Sequence, residues 1–221
     1  MSNANNQWNS HIWRGSARDF HALDLDAQRA VWCCEVSAPA LILGSTQQDT
    51  DIDVAQAGAH GLDIVRRRSG GGMVYVHPVD SLWCDVTIAR DDVLWTDDVS
   101  TSMLWLGDVF VNALRPWLPT SVYRLEFVAG KYGQSVCFAS TSPGEVFSGT
   151  AKVVGISQRR TRMGARFQCI MYRQWNPDSW VNCVRSHDVA QHVRTLPVAT
   201  IDAEPTDVMH ALLGALEHLG R

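Results

Sequence analysis

The sequence predicts one mixed α/β domain in which helices pack on a largely antiparallel sheet. Three observations carry this. The chain has 221 residues, and a prior of roughly 150 residues per domain favours one unit over two. No repeat with a period of about 20–50 residues and no Pro/Gly/Ser linker divides it. Short β-prone apolar runs are interspersed with a few stretches of helical periodicity.

Residues 1–14 read as a polar tail, Asn-, Ser- and Gln-rich at the start, with neither the charged nor the apolar region of a secretory signal. Residues 15–221 then form the domain, placed by default in the cytoplasm. Residues 29–36 and 40–43 are two strands separated by Ser37-Ala38-Pro39. Residues 51–60 have an Asp-rich start and stop at Gly61, a short helix. Residues 62–66 are a strand feeding a glycine-rich turn. Residues 73–76 and 82–88 are again strands. Over residues 97–114, Val99, Met103, Leu106, Phe110 and Ala113 recur at spacings of three and four. That is a longer amphipathic helix, ended by Arg115-Pro116. Residues 123–172 suggest a second meander of strands. Val208, Met209, Leu212, Leu213 and Leu216 mark a closing helix over residues 206–219.

Composition narrows the function. A net charge of -4 offers no general field for nucleic acid or an anionic membrane. No run approaches the ~18 apolar residues of a spanning helix. Six cysteines contain no C-x-x-C pair and eight histidines no H-E-x-x-H, so neither a zinc site nor a disulfide framework is indicated. Of 19 basic residues only Lys131 and Lys152 are lysines, so candidates for amine chemistry are few.

Two segments could carry chemistry. The first is Arg66-Arg67-Arg68-Ser69-Gly70-Gly71-Gly72, where a strand should end. Three glycines suit a flexible turn between solvated arginines, or an anion-binding nest of amides with paired guanidinium donors beside it. The segment is neither a Walker A loop nor a dinucleotide fingerprint. The second runs from Gly149 through Lys152 to Gln158, followed by Arg159, Arg160, Arg162 and Arg166. Its lysine is either a snorkelling residue on a strand edge or a fixed charge able to hold a phosphate or carbonyl oxygen. The arginines suit a local docking surface or a salt-bridged face.

Together these segments resemble the lipoate-protein ligase and octanoyltransferase superfamily, whose catalytic domain is shared with biotin-protein ligases. Residues 39–47 are similar to its early strand-plus-Gln segment. Residues 64–75 are similar to the ligase motif of two arginines, any residue, serine and three glycines. Residues 152–158 are similar to its lysine motif of Lys, two apolar residues, Gly, two small residues and Gln. The likeness covers roughly residues 30–175. It implies a biotin/lipoate-ligase-like fold with a bent sheet and a pocket where an eight-carbon acyl chain lies on apolar strands. Arg67 and the amides of Gly70, Gly71 and Gly72 would face a carboxylate or acyl phosphate, and Lys152 would hold the acyl oxygen. Ser69, Tyr75, His77, Gly155, Ser157 and Gln158 complete the expected substrate and adenylate site. After Tyr75 the motif departs from the family pattern: Val76 precedes His77-Pro78 where His-Asp is usual.

The resemblance implies a ligase that activates its acid with ATP and magnesium as an acyl-adenylate and attaches the lipoyl (or octanoyl) group to a lysine of an apo lipoyl domain or a glycine-cleavage H-type protein. A small accessory subunit would supply what the ~45 residues after the motifs do not. The alternative is an ATP-independent octanoyltransferase fed by acyl carrier protein. Cys137 would be its nucleophile, its pKa lowered by Lys152, although a core thiol is an equal reading. A third reading keeps acyl binding without catalysis. Lys152→Ala is expected to stop transfer and leave the fold intact.

Overall fold

The computed structural model describes residues 7–220. In chain order the elements are β1 (Asn9–Gly15), α1 (Ala17–Ala22), β2 (Ala30–Val36), β3 (Ala40–Leu43), α2 (Val54–Ala59), β4 (Asp63–Arg66), β5 (Val74–Val76), β6 (Ser81–Ala89), α3 (Leu104–Leu114), β7 (Ser121–Val122), β8 (Val146–Ser148), β9 (Ala151–Arg160), β10 (Gly164–Tyr172), α4 (His187–Arg194) and α5 (Pro205–Glu217). A seven-stranded sheet has the order β1-β2-β6-β10-β9-β8-β7, and a three-stranded sheet the order β4-β3-β5. β1 lies parallel to β2 and β3 to β4, and the other pairs are antiparallel. This is the mixed, largely antiparallel architecture expected. No described helix is long and apolar enough to cross a membrane.

Several local outcomes differ from the sequence reading, α4 among them, which no sequence signal had marked. The polar tail ends sooner, because Asn9–Gly15 pairs along β2 as an edge strand; residues 1–6 of that tail lie outside the described residues. Its polar side chains suit an edge, where one flank faces solvent. β2 and β3, the two strands read on either side of Ser37-Ala38-Pro39, enter different sheets. Ser37 donates to the Gly15 carbonyl, and Pro39, which has no N–H, marks the crossing. α3 begins at Leu104, not 97, because the Asp98 carboxylate accepts from the Ser100 amide at 2.9 Å and from the Ser100 and Thr101 hydroxyls. Such local bonds compete with a helical turn. α1 was not foreseen. Ser16 caps it by accepting from the Asp19 amide at 3.0 Å, with Asp19 accepting from the Ser16 hydroxyl in return.

Burial separates three apolar clusters. Leu82, Cys84, Val86 and Ile88 of β6 and Phe167, Cys169 and Met171 of β10 meet α3 and α5 on one face of the large sheet. The small sheet packs its outer face, with Leu41, Leu43 and Tyr75, against Trp180 and α4. Between the sheets lie Phe20, Ile42, Val76, Trp83, Phe138, Ile170 and Tyr172. The third cluster is where the two sheets fail to close completely, and the sequence motifs converge on it.

Candidate active site

The triglycine loop is built by the alternation of β4. Arg66 turns outward and donates to the Gly44 and Gln47 carbonyls at 2.9 and 2.6 Å, and to Asp49. Arg67 turns inward and is 3% exposed. Its guanidinium donates to the carbonyls of Gly70 at 2.7 Å, Gly72 at 2.8 Å and Ile42 at 3.3 Å. It therefore braces the loop by its carbonyls while also lining the slot beneath. Gly71 has φ +92°, and a Cβ on Gly72 would lie 2.5 Å from the Val136 nitrogen, so both positions require glycine. Arg67 makes no ion pair among the described residues, and its Nε, buried, has no partner. Burial lowers its pKa.

Beneath the loop runs a slot of about 350 Å³, its open mouth included, walled by Ile42, Val74, Val76, Trp83, Gly155 and Ile170. Arg67, Cys137, Ser157, Gln168 and His21 supply its polar lining. Gly155 is small for a reason: a Cβ there would meet the Phe138 ring at 3.0 Å. Ser69 joins loop to sheet, donating to Gln168 Oε1 at 2.5 Å with its Oγ 3.2 Å from that of Ser157. An apolar slot thus lies next to the triglycine loop, with Gly155 and Ser157 in its lining and Ser69 hydrogen-bonded to that lining.

Lys152 does not reach the main chain around Gly71. Residues 135–137 stand between, tied to the loop by Met73 N to Ser135 O and Cys137 N to Met73 O. The ammonium is 1% exposed and donates to the carbonyls of Cys137 at 3.1 Å and Ser140 at 2.6 Å and to Glu145 Oε1 at 2.9 Å. All three of its protons have internal acceptors. Glu145, also 1% exposed, is held further by the Ser142 amide at 2.8 Å. Burial raises the pKa of its carboxyl, and the Lys152 charge opposes that rise. Cys137 lies against the slot, but burial raises its thiol pKa despite Lys152 and Arg67, contrary to the activation expected of a nucleophile.

Three expected site residues are placed elsewhere by strand alternation and turn chemistry. Tyr75 lies between Val74 and Val76, both of which line the slot, so its ring faces the opposite side and stacks on Trp180 at 5.7 Å. His77 shapes a turn, its Nδ1 accepting from the Val79 and Asp80 amides at 3.2 Å. Gln158, next to Ser157 and so on the other face, donates to the Val99 carbonyl and accepts from Ser102. Tyr75→Phe is therefore expected to leave acyl transfer unchanged in a mass assay of the acceptor protein, and a lost activity would place the phenol back in the site.

The sequence reading missed Glu145, His21 and Gln168. Glu145 had a signal, as the lone acid between Glu126 and Asp178. His21 and Gln168 had none, being 147 residues apart in the chain and joined at 3.1 Å in the fold.

A family model described as "Lipoyl protein ligase A/B catalytic domain" matches residues 20–216. Among solved structures the chain is similar to a protein from T. acidophilum with bound lipoic acid, at 17% identity and TM-score 0.73, over 96% of this chain and 85% of that one. It is similar to a bi-partite lipoate protein ligase from Thermoplasma acidophilum described with its E2 lipoyl domain, at 17% identity and TM-score 0.73, over 96% and 83%. A lipoate-protein ligase A bound with ATP gives 15% identity and TM-score 0.70 over 96% and 85%. At these identities the likeness is one of fold. No curated protein matches the sequence.

Proposed function

The chain belongs to the lipoyl protein ligase A/B catalytic domain family, and from that premise we propose that it is a lipoate-protein ligase, attaching a lipoyl group to a lysine of a lipoyl domain. The observation that carries this reading is the apolar slot bordered by a buried guanidinium without an ion-pair partner. Such a cation in a low-dielectric site calls for an anion. A medium-chain acid supplies both halves, its chain on Val74, Val76 and Ile170 and its carboxylate near Arg67 and Cys137.

A free carboxylate is a poor acyl donor to an amine, and ATP supplies the leaving group that its oxygen lacks. Arg67, which lines the slot, keeps its Nε as a donor for the anionic head. Lys152 lies directly behind the Cys137 carbonyl. Exchanging one of its internal acceptors for the acyl oxygen would bring a full positive charge to the place where negative charge develops. Magnesium would arrive with the nucleotide phosphates, as it commonly does. The raised thiol pKa of Cys137 favours this ligase over a transferase that needs a thiolate at that position.

The test incubates the full chain with an apo lipoyl domain and either lipoate plus ATP and magnesium or octanoyl-carrier protein, then weighs the acceptor. A lipoyl mass gain in the first reaction is expected. A gain only in the second would replace the ligase by the transferase. No gain in either, with a candidate partner chain added as for the bi-partite Thermoplasma ligase, would leave acyl binding without catalysis.

A further inference from the structure

At one end of the slot a relay of hydrogen bonds stops at a donor with nothing to bond. Ser69 Oγ donates to Gln168 Oε1 at 2.5 Å, and Gln168 Nε2 donates to His21 Nδ1 at 3.1 Å. The buried Asp85 carboxylate lies near the same amide and favours its nitrogen on that side. Asp85 is in turn held by Trp83 Nε1 at 2.7 Å and Arg166 Nε at 2.5 Å. His21 Nδ1 is therefore an acceptor. Burial first, then the charges of Arg166 and Arg67, lower the pKa of the ring to about 3, so the ring is neutral and its one proton is on Nε2. The ring is 6% exposed, stacks on Trp83 at 4.9 Å and lines the slot. Its Nε2 is buried without a partner.

The register of β9 and β10 places this donor along the slot. Gly155 pairs with Ile170 at the Cys137 end, and Ser157 pairs with Gln168 at the His21 end. From Lys152 to Ser157 is five residues, about 16 Å of strand. A chain whose carbonyl end is at Cys137, in front of Lys152, brings its far end to His21.

We infer that His21 is a specificity-determining residue whose Nε2–H donates to a heteroatom near the far end of the bound acyl chain, so that the slot selects medium-chain acids ending in a hydrogen-bond acceptor over those ending in a plain methyl. This rests on the proposed reading of the slot as an acyl site, and it adds which acyl class that site takes. A methyl-ended chain would leave the donor buried and unsatisfied, a cost that a terminal oxygen removes in full and a ring sulfur in part.

Calorimetric titration of the full chain with octanoate, lipoate and 8-hydroxyoctanoate tests it. The wild-type protein should bind 8-hydroxyoctanoate about 5–10-fold more tightly than octanoate, with lipoate between or equal to the better. In His21→Leu this preference should vanish or reverse, and His21→Gln, which keeps an N–H donor, should restore part of it. The ratio is read within one variant, so a general loss of folding, which weakens all three acids alike, does not imitate the result. Equal binding of octanoate and 8-hydroxyoctanoate by the wild type, or a preference untouched in His21→Leu, would overturn the inference while leaving the acyl site standing. Failure of all three acids to bind would overturn the acyl site itself and the inference with it.

Discussion

Lys152→Met is expected to abolish acyl transfer and to remove about 3–5 kcal/mol of stability at the same time. The catalytic loss follows from the proposed role. No other lysine is near the slot: the chain's second, Lys131, lies over the Tyr132 ring. Removal of a donor that stabilises developing charge costs about 10²–10³ in rate even where other donors remain. The stability loss follows from the pairing. Without the ammonium, Glu145 is left as an acid inside the protein, 1% exposed, and the carbonyls of Cys137 and Ser140 lose a donor. This corrects the expectation that Lys152 could be truncated without disturbing the fold, which treated the side chain as a free cation. The double variant Lys152→Met/Glu145→Gln separates the two effects. A neutral amide can keep the bond from the Ser142 nitrogen that Glu145 now accepts at 2.8 Å, so urea unfolding should recover much of the loss while transfer stays absent. Transfer by either variant at the wild-type rate would remove Lys152 from the chemistry. A single variant as stable as the wild type would show that the buried pair contributes no net stability.

The local patterns that decided most of the fold were legible because they are short-range. Alternation in residues 82–88 placed β6, and the three-and-four spacing from Met103 to Ala113 placed α3 apart from its first turn. There the Asp98 side chain intervenes. The site was legible as a set of residue types in order: Arg67, Ser69, the three glycines and Lys152 all stand around one slot or directly behind its wall. What the order did not contain was direction. Tyr75 and Gln158 fall out of the slot because a strand turns successive side chains to opposite faces, a rule applicable in advance had the slot-facing parity of Val74 and Ser157 been fixed first. Arg67 keeps its position and takes on a second job. A buried guanidinium has more donors than one ligand can use, and the carbonyls it braces are those of the loop it was expected to assist. Glu145, Gln168 and His21 owe their places to contacts across the tertiary structure, and no local period encodes these.

The neutral His21 carries the second large effect, a loss of stability in mild acid that belongs to this residue. Its ordinary pKa near 6.5 falls to about 3 in the fold. Between these values the unfolded chain binds a proton that the folded chain refuses, so acidification favours unfolding. The contribution is fully present above pH 6.5 and is lost as the pH falls toward 3. At about 1.36 kcal/mol per unit, its span approaches about 5 kcal/mol, a large share of the 5–15 kcal/mol typical of a folded domain. His21→Leu has no such proton to take up. Urea unfolding of the two proteins at pH 7, 6, 5 and 4 should therefore show curves that converge or cross as the wild type weakens faster. Glu145, whose carboxyl burial pushes up, titrates in both proteins and cancels in the difference. The loss of the Gln168 partner in the variant is a constant offset at every pH. Parallel curves would mean that the ring charges freely in the folded state, and a charged ring would have both nitrogens protonated. The Gln168 amide nitrogen could then no longer donate to Nδ1, and the relay from Ser69 would be broken at its last link.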